Sequence, residues 1–485
     1  MQEAVTTLFH AVRPRVVAKY LGQLALMLAL LVLAPLLVSV FYGEYFYTLR
    51  YLVVIVLLLV VGVPALRLAE PDDIQTNESL VITALAFVLS PLLMTWPIMA
   101  AGLSFADAWF EAVSGITTTG LSTLQNLADK PKTFLFARAW MQWYGGLGIV
   151  VLSVALLMGH HIALKRLVGP EGGQSMITTT RIYARHVLRV YLSLTMVGVI
   201  VLWLLLHDGF LAVTHVLAAV STGGFSPLGG SLGDIDHWSV RAAVMLLGLC
   251  GALPFVLFYY LFRGNWRDVV FDTELHVLLL LILIISALLS LTLAEQFDFG
   301  WRQAMGHGLL LGSSAQTTTG FSSLDIAGLS PVSKGLLIIA MFIGGGMGST
   351  AGGIKILRVL IMARMIQLFI QRSTLPTHAV IEPRLGERTL EPEEITQALV
   401  LILLFVIVIA RSWLVFLAYG YPALDALFEV VSATGTVGLS TGITRHALEP
   451  ALKGVLGLDM LLGRLEIITL LVVLYPHTWI GKRST

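Results

Sequence analysis

The sequence predicts an all-α polytopic membrane protein, in which four pseudo-repeats of span, half-helix, loop and span surround one axis and two further transmembrane helices precede them. The composition, the long apolar segments and a motif that occurs four times predict this fold class. Of the 485 residues, 57% are hydrophobic and 12% charged, whereas a soluble domain has about 25% charged residues. The 45 glycines and 17 prolines suit membrane helices, where packed neighbours satisfy interrupted backbone groups.

Charge and cysteine content exclude several functional classes. The net charge is +1 and the pI is about 7.9, so no basic footprint for nucleic acid is present. Cys250 is the single cysteine, which excludes an internal disulfide framework and a cysteine-rich metal site.

Ten apolar units are long enough, or nearly so, to cross a bilayer of about 30 Å. They occupy approximately 21–42, 50–69, 80–101, 134–158, 187–206, 238–262, 275–294, 335–371, 395–419 and 454–475. The first has no convincing cleavage site after it, so we expect an uncleaved span. Most of the 30 basic residues fall on one side when the amino terminus is placed inside, as cytoplasmic loops require. The largest inside connections are then 159–189 and 355–394.

One short pattern recurs four times and ends each time in Gly, Leu or Phe, and Ser. Its copies are loop 1 (Thr117, Thr118, Thr119, Gly120, Leu121, Ser122), loop 2 (Ser221, Thr222, Gly223, Gly224, Phe225, Ser226), loop 3 (Thr317, Thr318, Thr319, Gly320, Phe321, Ser322) and loop 4 (Gly435, Thr436, Val437, Gly438, Leu439, Ser440). Near-equal spacing of the four copies predicts repeated structural units of about 100 residues.

A short apolar segment precedes each loop, at 104–114, 208–220, 298–314 and 422–432. Segments of this length are too short to cross and are typical of re-entrant or buried helices. Irregular backbone at membrane depth must be buried or must line an aqueous cavity. We therefore expect the four loops to converge on one axis.

The chemistry of the loops indicates a cation site. Threonine and glycine offer hydroxyl and carbonyl oxygens that can replace the hydration shell of an ion, and the carboxyl ends of half-helices carry partial negative charge. No loop contains a basic residue. A single such loop would be explained better as a small-residue helix contact, but four copies after four short helices favour a pore.

This layout resembles the Trk/Ktr/HKT superfamily of potassium transporters, and the two extra amino-terminal spans resemble its TrkH/TrkG branch. The resemblance implies a potassium filter at the four loops, with filter glycines at Gly120, Gly224, Gly320 and Gly438. Glycine at all four positions is similar to the potassium-selective members. Loop 4 departs most, since Gly435 and Val437 replace threonines. The implied units are an accessory pair at 1–75 and pore repeats at 76–170, 171–268, 269–385 and 386–485.

A glycine segment (343–355) interrupts one apolar unit. It contains Gly344, Gly345, Gly346, Gly348, Gly352 and Gly353, and each glycine costs a helix about 1 kcal/mol relative to alanine. The order of a phosphate-binding GxxxxGK[ST] loop is absent, although a glycine packing surface remains an alternative. The family resemblance implies a flexible loop that obstructs the pore, so we expect residues 344–353 to form the gate.

Charged residues in the last span are also candidates, since ionisable groups at membrane depth usually face a pore, a cavity or a partner. The resemblance implies that Arg464 projects into the permeation path and lowers cation occupancy; a structural ion pair, for example with a neighbouring helix, is the alternative for Arg464 and Glu466. We expect Arg411 and Asp459 to form a structural pair. His215 is interpreted as a packed histidine of a half-helix.

The leading functional hypothesis is potassium uptake through a channel-like pore, and an alternating-access symporter of potassium with protons or sodium is the alternative. No enzyme motif lies on an accessible segment, so we expect no enzyme and no bound cofactor, with potassium as the substrate. The resemblance implies a homodimer in the bacterial inner membrane. It also implies a cytoplasmic nucleotide-binding ring of the TrkA type as partner. The basic 159–189 connection and the mixed-charge 355–394 connection are the candidate docking surfaces for it.

Overall fold

The computed structural model describes residues 11–69, 74–124, 126–157, 176–374, 382–386 and 388–480. Its helices in chain order are α1 (Pro14–Phe41), α2 (Tyr45–Ala65), α3 (Thr76–Ile98), α4 (Phe105–Ile116), α5 (Lys132–Leu157), α6 (Met176–Leu206), α7 (Gly209–Val220), α8 (Trp238–Ala252), α9 (Phe255–Phe262), α10 (Trp266–Val270), α11 (Thr273–Phe297), α12 (Trp301–Gln316), α13 (Pro331–Ile343), α14 (Ile356–Arg372), α15 (Pro392–Ala418), α16 (Ala423–Thr434), α17 (Pro450–Arg464) and α18 (Ile468–Leu474). A small antiparallel pair, β1 (Arg384–Leu385) and β2 (Arg388–Thr389), connects α14 to α15. The all-α fold class is thereby confirmed.

Six described helices are long and apolar enough to cross a membrane, by length and composition. They are α1, α2, the part of α6 from Ala184 to Leu206, α11, α15 and α3 with its short 3-10 continuation to Ala101. The helices α8 and α9 would form a seventh span, but they are bent by 94°. Much of the predicted 159–189 connection lies outside the described residues, as does the expected boundary at 170, and the unit boundaries stay predictions.

The apolar unit predicted at 238–262 is not one straight helix. It breaks at Leu253 and Pro254, where proline has no backbone N–H to continue the helical hydrogen bonds. The carbonyl oxygen of Ala252 instead accepts a hydrogen bond from the backbone N–H of Gly346, at 3.1 Å. The break therefore provides an acceptor for the glycine segment.

The last predicted span, 454–475, is also interrupted. Helix α17 ends at Arg464, and Glu466 and Ile467 adopt left-handed backbone conformations with φ of 54° and 59°. Such values are unusual for bulky or β-branched residues, so surrounding contacts must hold this break in place. The interruption of 335–371 agrees with the sequence, because α13 ends at Ile343 and α14 begins at Ile356.

Four short helices, α4, α7, α12 and α16, precede the four loops. Each ends directly at its loop, and the residue after each helix retains helical dihedral angles. Polar residues start two of them: the side chains of Ser104 and Asp208 accept backbone N–H groups from the first turns of α4 and α7. The carboxyl ends of these short helices are thus directed at the loops.

Ion pairs join successive units near the beginning of these short helices. Lys453, the fourth residue of α17, contacts Asp107, the third residue of α4, at 2.6 Å. Lys334, the fourth residue of α13, makes the equivalent contact with Asp425 of α16 at 2.7 Å. Since α17 lies near the end of the chain and α4 near its beginning, the first pair closes the arrangement of four units.

The accessory helices α1 and α2 are fastened to the same body. The carboxylate of Glu44, between these helices, accepts the backbone N–H groups of Lys132 and Thr133 at 3.0 Å each. These two N–H groups lie in the first turn of α5, where the helix itself provides no backbone acceptor for them. The accessory pair therefore caps the helix that follows loop 1.

We expect Lys453→Met to lower the free energy of unfolding by about 3 kcal/mol, because it leaves the buried Asp107 carboxylate without its closest cation. Thermal unfolding of the purified protein in detergent measures this loss. Arg384→Gln is the control, since its pair with Glu382 is exposed and should contribute less than about 1 kcal/mol. Equal effects of the two substitutions would contradict the proposed role of the Lys453–Asp107 pair.

Candidate ion pathway

The four loops share one unusual backbone conformation. Their second residues, Thr118, Thr222, Thr318 and Thr436, have φ of 56°, 51°, 53° and 50°. Left-handed conformation is rare for a β-branched residue, and its occurrence at four equivalent positions indicates that the surrounding structure imposes it.

The glycine at the fourth position of each loop lies against the next loop. An added Cβ would lie 2.1 Å from the Gly223 oxygen at Gly120, 2.3 Å from the Thr319 oxygen at Gly224, 1.9 Å from the Val437 oxygen at Gly320 and 2.2 Å from the Thr119 oxygen at Gly438. These glycines also have φ between 76° and 97°, which L-residues with a Cβ rarely adopt. The contacts run from loop 1 to 2, 3, 4 and back to 1, so the four loops form a closed ring.

Hydroxyl groups at the first position of three loops are engaged by their own helices. Thr117 donates to the Val113 carbonyl and Thr317 to the Ser313 carbonyl, both at 2.7 Å. Ser221 donates to the Leu217 carbonyl at 2.8 Å. These side chains therefore fasten the loops to the helix ends, and the loop carbonyls, with the unpartnered hydroxyls of Thr118 and Thr436, are oxygens that remain available to an ion.

Carboxylates in two short helices hold loops 1 and 4 from behind. Glu111 accepts the hydroxyl of Ser122 at 2.7 Å and the backbone N–H of Thr123 at 2.8 Å. Glu429 accepts the equivalent groups of Ser440 and Thr441 at 2.6 and 2.7 Å. The sequence signal for these clamps is the shared Phe-Glu-x-Val-Ser of α4 and α16, to which the sequence analysis assigns no role.

Histidine takes the corresponding position in α7, the short helix before loop 2. His215 is fully buried, its Nδ1 contacts the Leu211 carbonyl at 2.8 Å and its Nε2 contacts the Ser226 hydroxyl at 3.2 Å. This placement agrees with the interpretation of His215 as a packed residue of the half-helix.

Two side chains of α5 connect loop 2 to the first unit. Gln142 donates to the Gly223 carbonyl and accepts the backbone N–H of Phe225. Arg138 pairs with Glu111 at 2.9 Å, and its guanidinium lies 3.8 Å from the centre of the Phe225 ring. No motif marks either residue in the sequence, and their contacts with loop 2 join segments more than eighty residues apart.

The glycine segment packs against three loops of the ring. Its contacts are Gly352 N–H to the Thr318 hydroxyl at 2.8 Å, Gly353 N–H to the Gly435 carbonyl at 3.1 Å, and the Thr222 hydroxyl to the Thr350 hydroxyl at 3.3 Å. The structure therefore brings together the residues predicted for the filter and those predicted for the gate.

The fit between the segment and loop 4 is close. A Cβ on Gly352 would lie 2.1 Å from the Gly435 oxygen and 2.2 Å from the Thr436 hydroxyl oxygen. A Cβ on Gly435 would lie 2.9 Å from the Val431 oxygen and 3.0 Å from the Met341 oxygen. The departure of loop 4 from the threonine pattern thus coincides with the place where the segment is seated.

Arg464 lies against the glycine segment. Its side chain is 4% exposed, and its Nη1 donates to the Thr350 carbonyl at 2.7 Å. Glu466, the carboxylate that could have paired with it, instead binds Arg358 at 2.7 Å. The expected pair of Arg411 and Asp459 forms at 3.1 Å.

One further residue holds the segment. The carboxylate of Glu274, in the first turn of α11, accepts the backbone N–H of Met347 at 2.8 Å and is buried. From the sequence alone, Glu274 indicates only a carboxylate near a helix amino terminus, where it interacts favourably with the helix dipole. Its contact with a residue 73 positions away is visible only in the structure.

Comparisons with known proteins agree with this geometry. Residues 51–478 match the family TrkH, described as cation transport proteins. An uncharacterized cation transporter of Methanocaldococcus jannaschii is 30% identical over 93% of this chain and 94% of its own length. The Trk system potassium uptake protein TrkH of Escherichia coli is 30% identical over 84% of this chain and 87% of its own length.

A solved structure is also similar. The crystal structure of the potassium transporter TrkH from Vibrio parahaemolyticus superposes with a TM-score of 0.85 at 26% identity, covering 97% of this chain and all of that one. The similarity therefore extends across the accessory helices, the short helices and the loops.

We expect Glu429→Gln to loosen loop 4, because an amide NH₂ would replace an acceptor that faces the donors of Ser440 and Thr441. A loss of about 2 kcal/mol in the local opening free energy corresponds to roughly thirtyfold faster exchange of the Thr441 amide hydrogen. Hydrogen–deuterium exchange measures it, with the exposed Glu393→Gln as control. Unchanged protection in loop 4 would show that the carboxylate does not hold it.

Proposed function

The chain belongs to the TrkH family of cation transport proteins, and from that premise we propose that it takes up potassium ions across the bacterial inner membrane through a channel-like pore. The closed ring of loops 1 to 4 carries this proposal. Related proteins named for potassium transport in Escherichia coli and Vibrio parahaemolyticus support the choice of ion.

The ring supplies neutral oxygens to an ion on its axis. None of the loops contains a charged residue, and four helix ends with partial negative charge are directed at them. Backbone carbonyls in this arrangement can replace the water around a cation at modest electrostatic cost. An anion pathway would require basic residues or helix amino ends at the same place, so a cation filter is the function that the geometry supports best.

The glycine segment acts as the gate. It contacts loops 2, 3 and 4 through Thr350, Gly352 and Gly353, and so it occupies the region next to the ring through which an ion must leave. Its own bonds are mostly single backbone hydrogen bonds, which contribute about 1 kcal/mol each. A segment held in this way can be displaced without unfolding the helices around it.

Arg464 places a positive charge beside this segment. Its guanidinium is buried and is bound to the Thr350 carbonyl, so a potassium ion that passes the ring would meet a repulsive charge. The charge lowers cation occupancy while the segment is in place. Movement of the segment would remove the Thr350 oxygen and free the arginine to turn away.

The oligomeric state and the partner that we propose are those that the family resemblance implies. We assign to the protein a homodimeric state with one pore in each protomer and a cytoplasmic ring of the TrkA type that binds the nucleotide. The docking surfaces are the 159–189 and 355–394 connections, and the second of them contains β1 and β2. Potassium is the substrate, and no cofactor is assigned to this chain.

We expect Gly320→Ala to lower the potassium-to-sodium permeability ratio by about tenfold or more. The added Cβ would lie 1.9 Å from the Val437 oxygen, so loops 3 and 4 must separate and the carbonyl oxygens must leave their positions. Reversal potentials of the purified protein in planar bilayers, under potassium, sodium and proton gradients, measure the ratio and detect any proton coupling.

Gly335→Ala is the matched control, because nothing lies within 4 Å of its added Cβ in α13. Gly120→Ala tests the ring independently, since its Cβ would lie 2.1 Å from the Gly223 oxygen. A folded Gly320→Ala protein with the permeability ratio of the unmodified chain would refute the filter.

We expect Gly352→Ala to raise the open probability severalfold. The methyl group would lie 2.1 Å from the Gly435 oxygen, which disfavours the seated segment without touching the helices. Single-channel recording in bilayers measures the effect. Gly454→Ala in α17, whose added Cβ has nothing within 4 Å, is the control, and an unaltered open probability in the Gly352 variant would exclude this segment as the gate.

A further inference from the structure

A small cavity lies between the glycine segment, α15 and the break after α17. The volume accessible to a water molecule in this cavity is about 30 Å³. Its polar lining includes Ser349, Lys355, Arg358, Arg464 and Glu466. Three of these side chains are cationic and one is anionic, which is unusual for a site within an apolar body.

Within the described ranges, a carboxylate forms an ion pair with only one of the three cations. Arg358 binds Glu466 at 2.7 Å. Lys355 donates instead to the carbonyls of Ala351, at 2.6 Å, and Gly346, at 3.4 Å. Among the described residues, Arg464 donates to the Thr350 carbonyl alone.

The guanidinium of Arg464 retains two donors without partners. Its Nε and Nη2 atoms are buried and have no hydrogen-bond acceptor in the described part of the chain. A buried donor without an acceptor costs about 1–3 kcal/mol, and more when it is charged. These two N–H groups therefore favour an acceptor in the cavity that Arg464 lines.

The beginning of α14 adds to the positive potential. Lys355 precedes the first residue of this 17-residue helix, and Gly353, Ile354 and Lys355 all line the cavity. The amino end of a helix carries a partial positive charge and attracts anions. The helix end, the lysine and the unpartnered arginine donors thus act in the same direction.

We propose that this cavity binds a small inorganic anion, of which chloride is the representative, and that the bound anion holds the glycine segment in its seated position. The donors and the room beside them favour this class: about 30 Å³ is room for one or two water molecules, which suits a halide. The gating part rests on the proposed function; the binding part does not.

An anion here would tie two elements together. With Arg358 paired to Glu466, one monovalent anion shared by Arg464 and Lys355 leaves a net positive charge in the lining, so the repulsion of potassium is reduced but not removed. Arg464 ends α17, whereas Lys355 ends the glycine segment, so an ion shared by their donors would join the helix to the segment. Because the seated segment lines the cavity, a ligand bound there stabilises the seated conformation by mass action. The ratio of seated to displaced segments rises by a factor of 1 + [L]/Kd. When the anion concentration equals Kd, the ratio of closed to open channels should be about twofold higher than without the anion.

Binding is tested directly with bromide. Crystals of the full-length protein grown in sodium bromide should give an anomalous difference peak in the cavity, beside Arg464 and Lys355. The Arg464→Gln protein should lose this peak, whereas Arg372→Gln, at the exposed end of α14, should keep it. A wild-type crystal without the peak would refute the site, and a peak that persists in Arg464→Gln would identify an adventitious ion only.

Regulation is tested by replacing cytoplasmic chloride with gluconate at constant potassium in bilayer recordings. Gluconate is much larger than a halide and carries a carboxylate, so the ratio of closed to open channels should fall about twofold or more if chloride exceeds its Kd, and the open probability of the unmodified protein should rise. The Arg464→Gln protein should not respond to the exchange. A bromide peak together with an unresponsive open probability would overturn the gating role, while a peak in a protein that conducts no potassium would overturn the proposed function and leave the anion site intact.

Discussion

The whole structure depends on keeping four stretches of irregular backbone inside an apolar body. Backbone groups at membrane depth must be hydrogen-bonded, buried or directed at water. The loops meet this condition in two ways. Side chains and helix ends satisfy the groups behind each loop, and the carbonyl oxygens of one loop lie against the glycine of the next. A Cβ at any of these glycines would open the ring, which is why the same residue type stands at four positions about one hundred residues apart.

Each loop is supported both by its own short helix and by residues of other units. Glu111 and Glu429 hold loops 1 and 4 from within their own units. Gln142 and Arg138 extend from the first unit to loop 2, and Lys453 extends from the last unit to α4. The left-handed threonine in each loop is strained alone and is held by this shared framework, whereas the left-handed glycine adopts its conformation without strain.

The sequence predicts the parts of this structure that repeat. The four loops, their short helices and the interruption by glycines follow from spacing and composition, and the helices begin or end within a few residues of the expected positions. The residues missed are single and distant in sequence from their partners: Glu274, Gln142 and the Lys453–Asp107 pair. Their residue types carry no pattern, so only the fold can bring them together. The breaks at Pro254 and after Arg464 were missed because hydropathy measures apolar length and not the path of the backbone.

The four loops differ from one another in how they contact the glycine segment. Loop 1 keeps three threonines, and no hydrogen bond among the described residues joins it to the segment, whereas loops 2 and 3 bind the segment through Thr222 and Thr318. Loop 4 binds it through the backbone of Gly435 and has lost the first threonine. A threonine there would place its Cβ near the oxygens of Val431 and Met341. Those oxygens belong to α16 and α13, so glycine at this position lets the end of α16 pack closely against α13, and its carbonyl accepts the Gly353 N–H of the segment. Loop 4 thus binds the segment through its backbone, whereas loops 2 and 3 bind it through threonine hydroxyls.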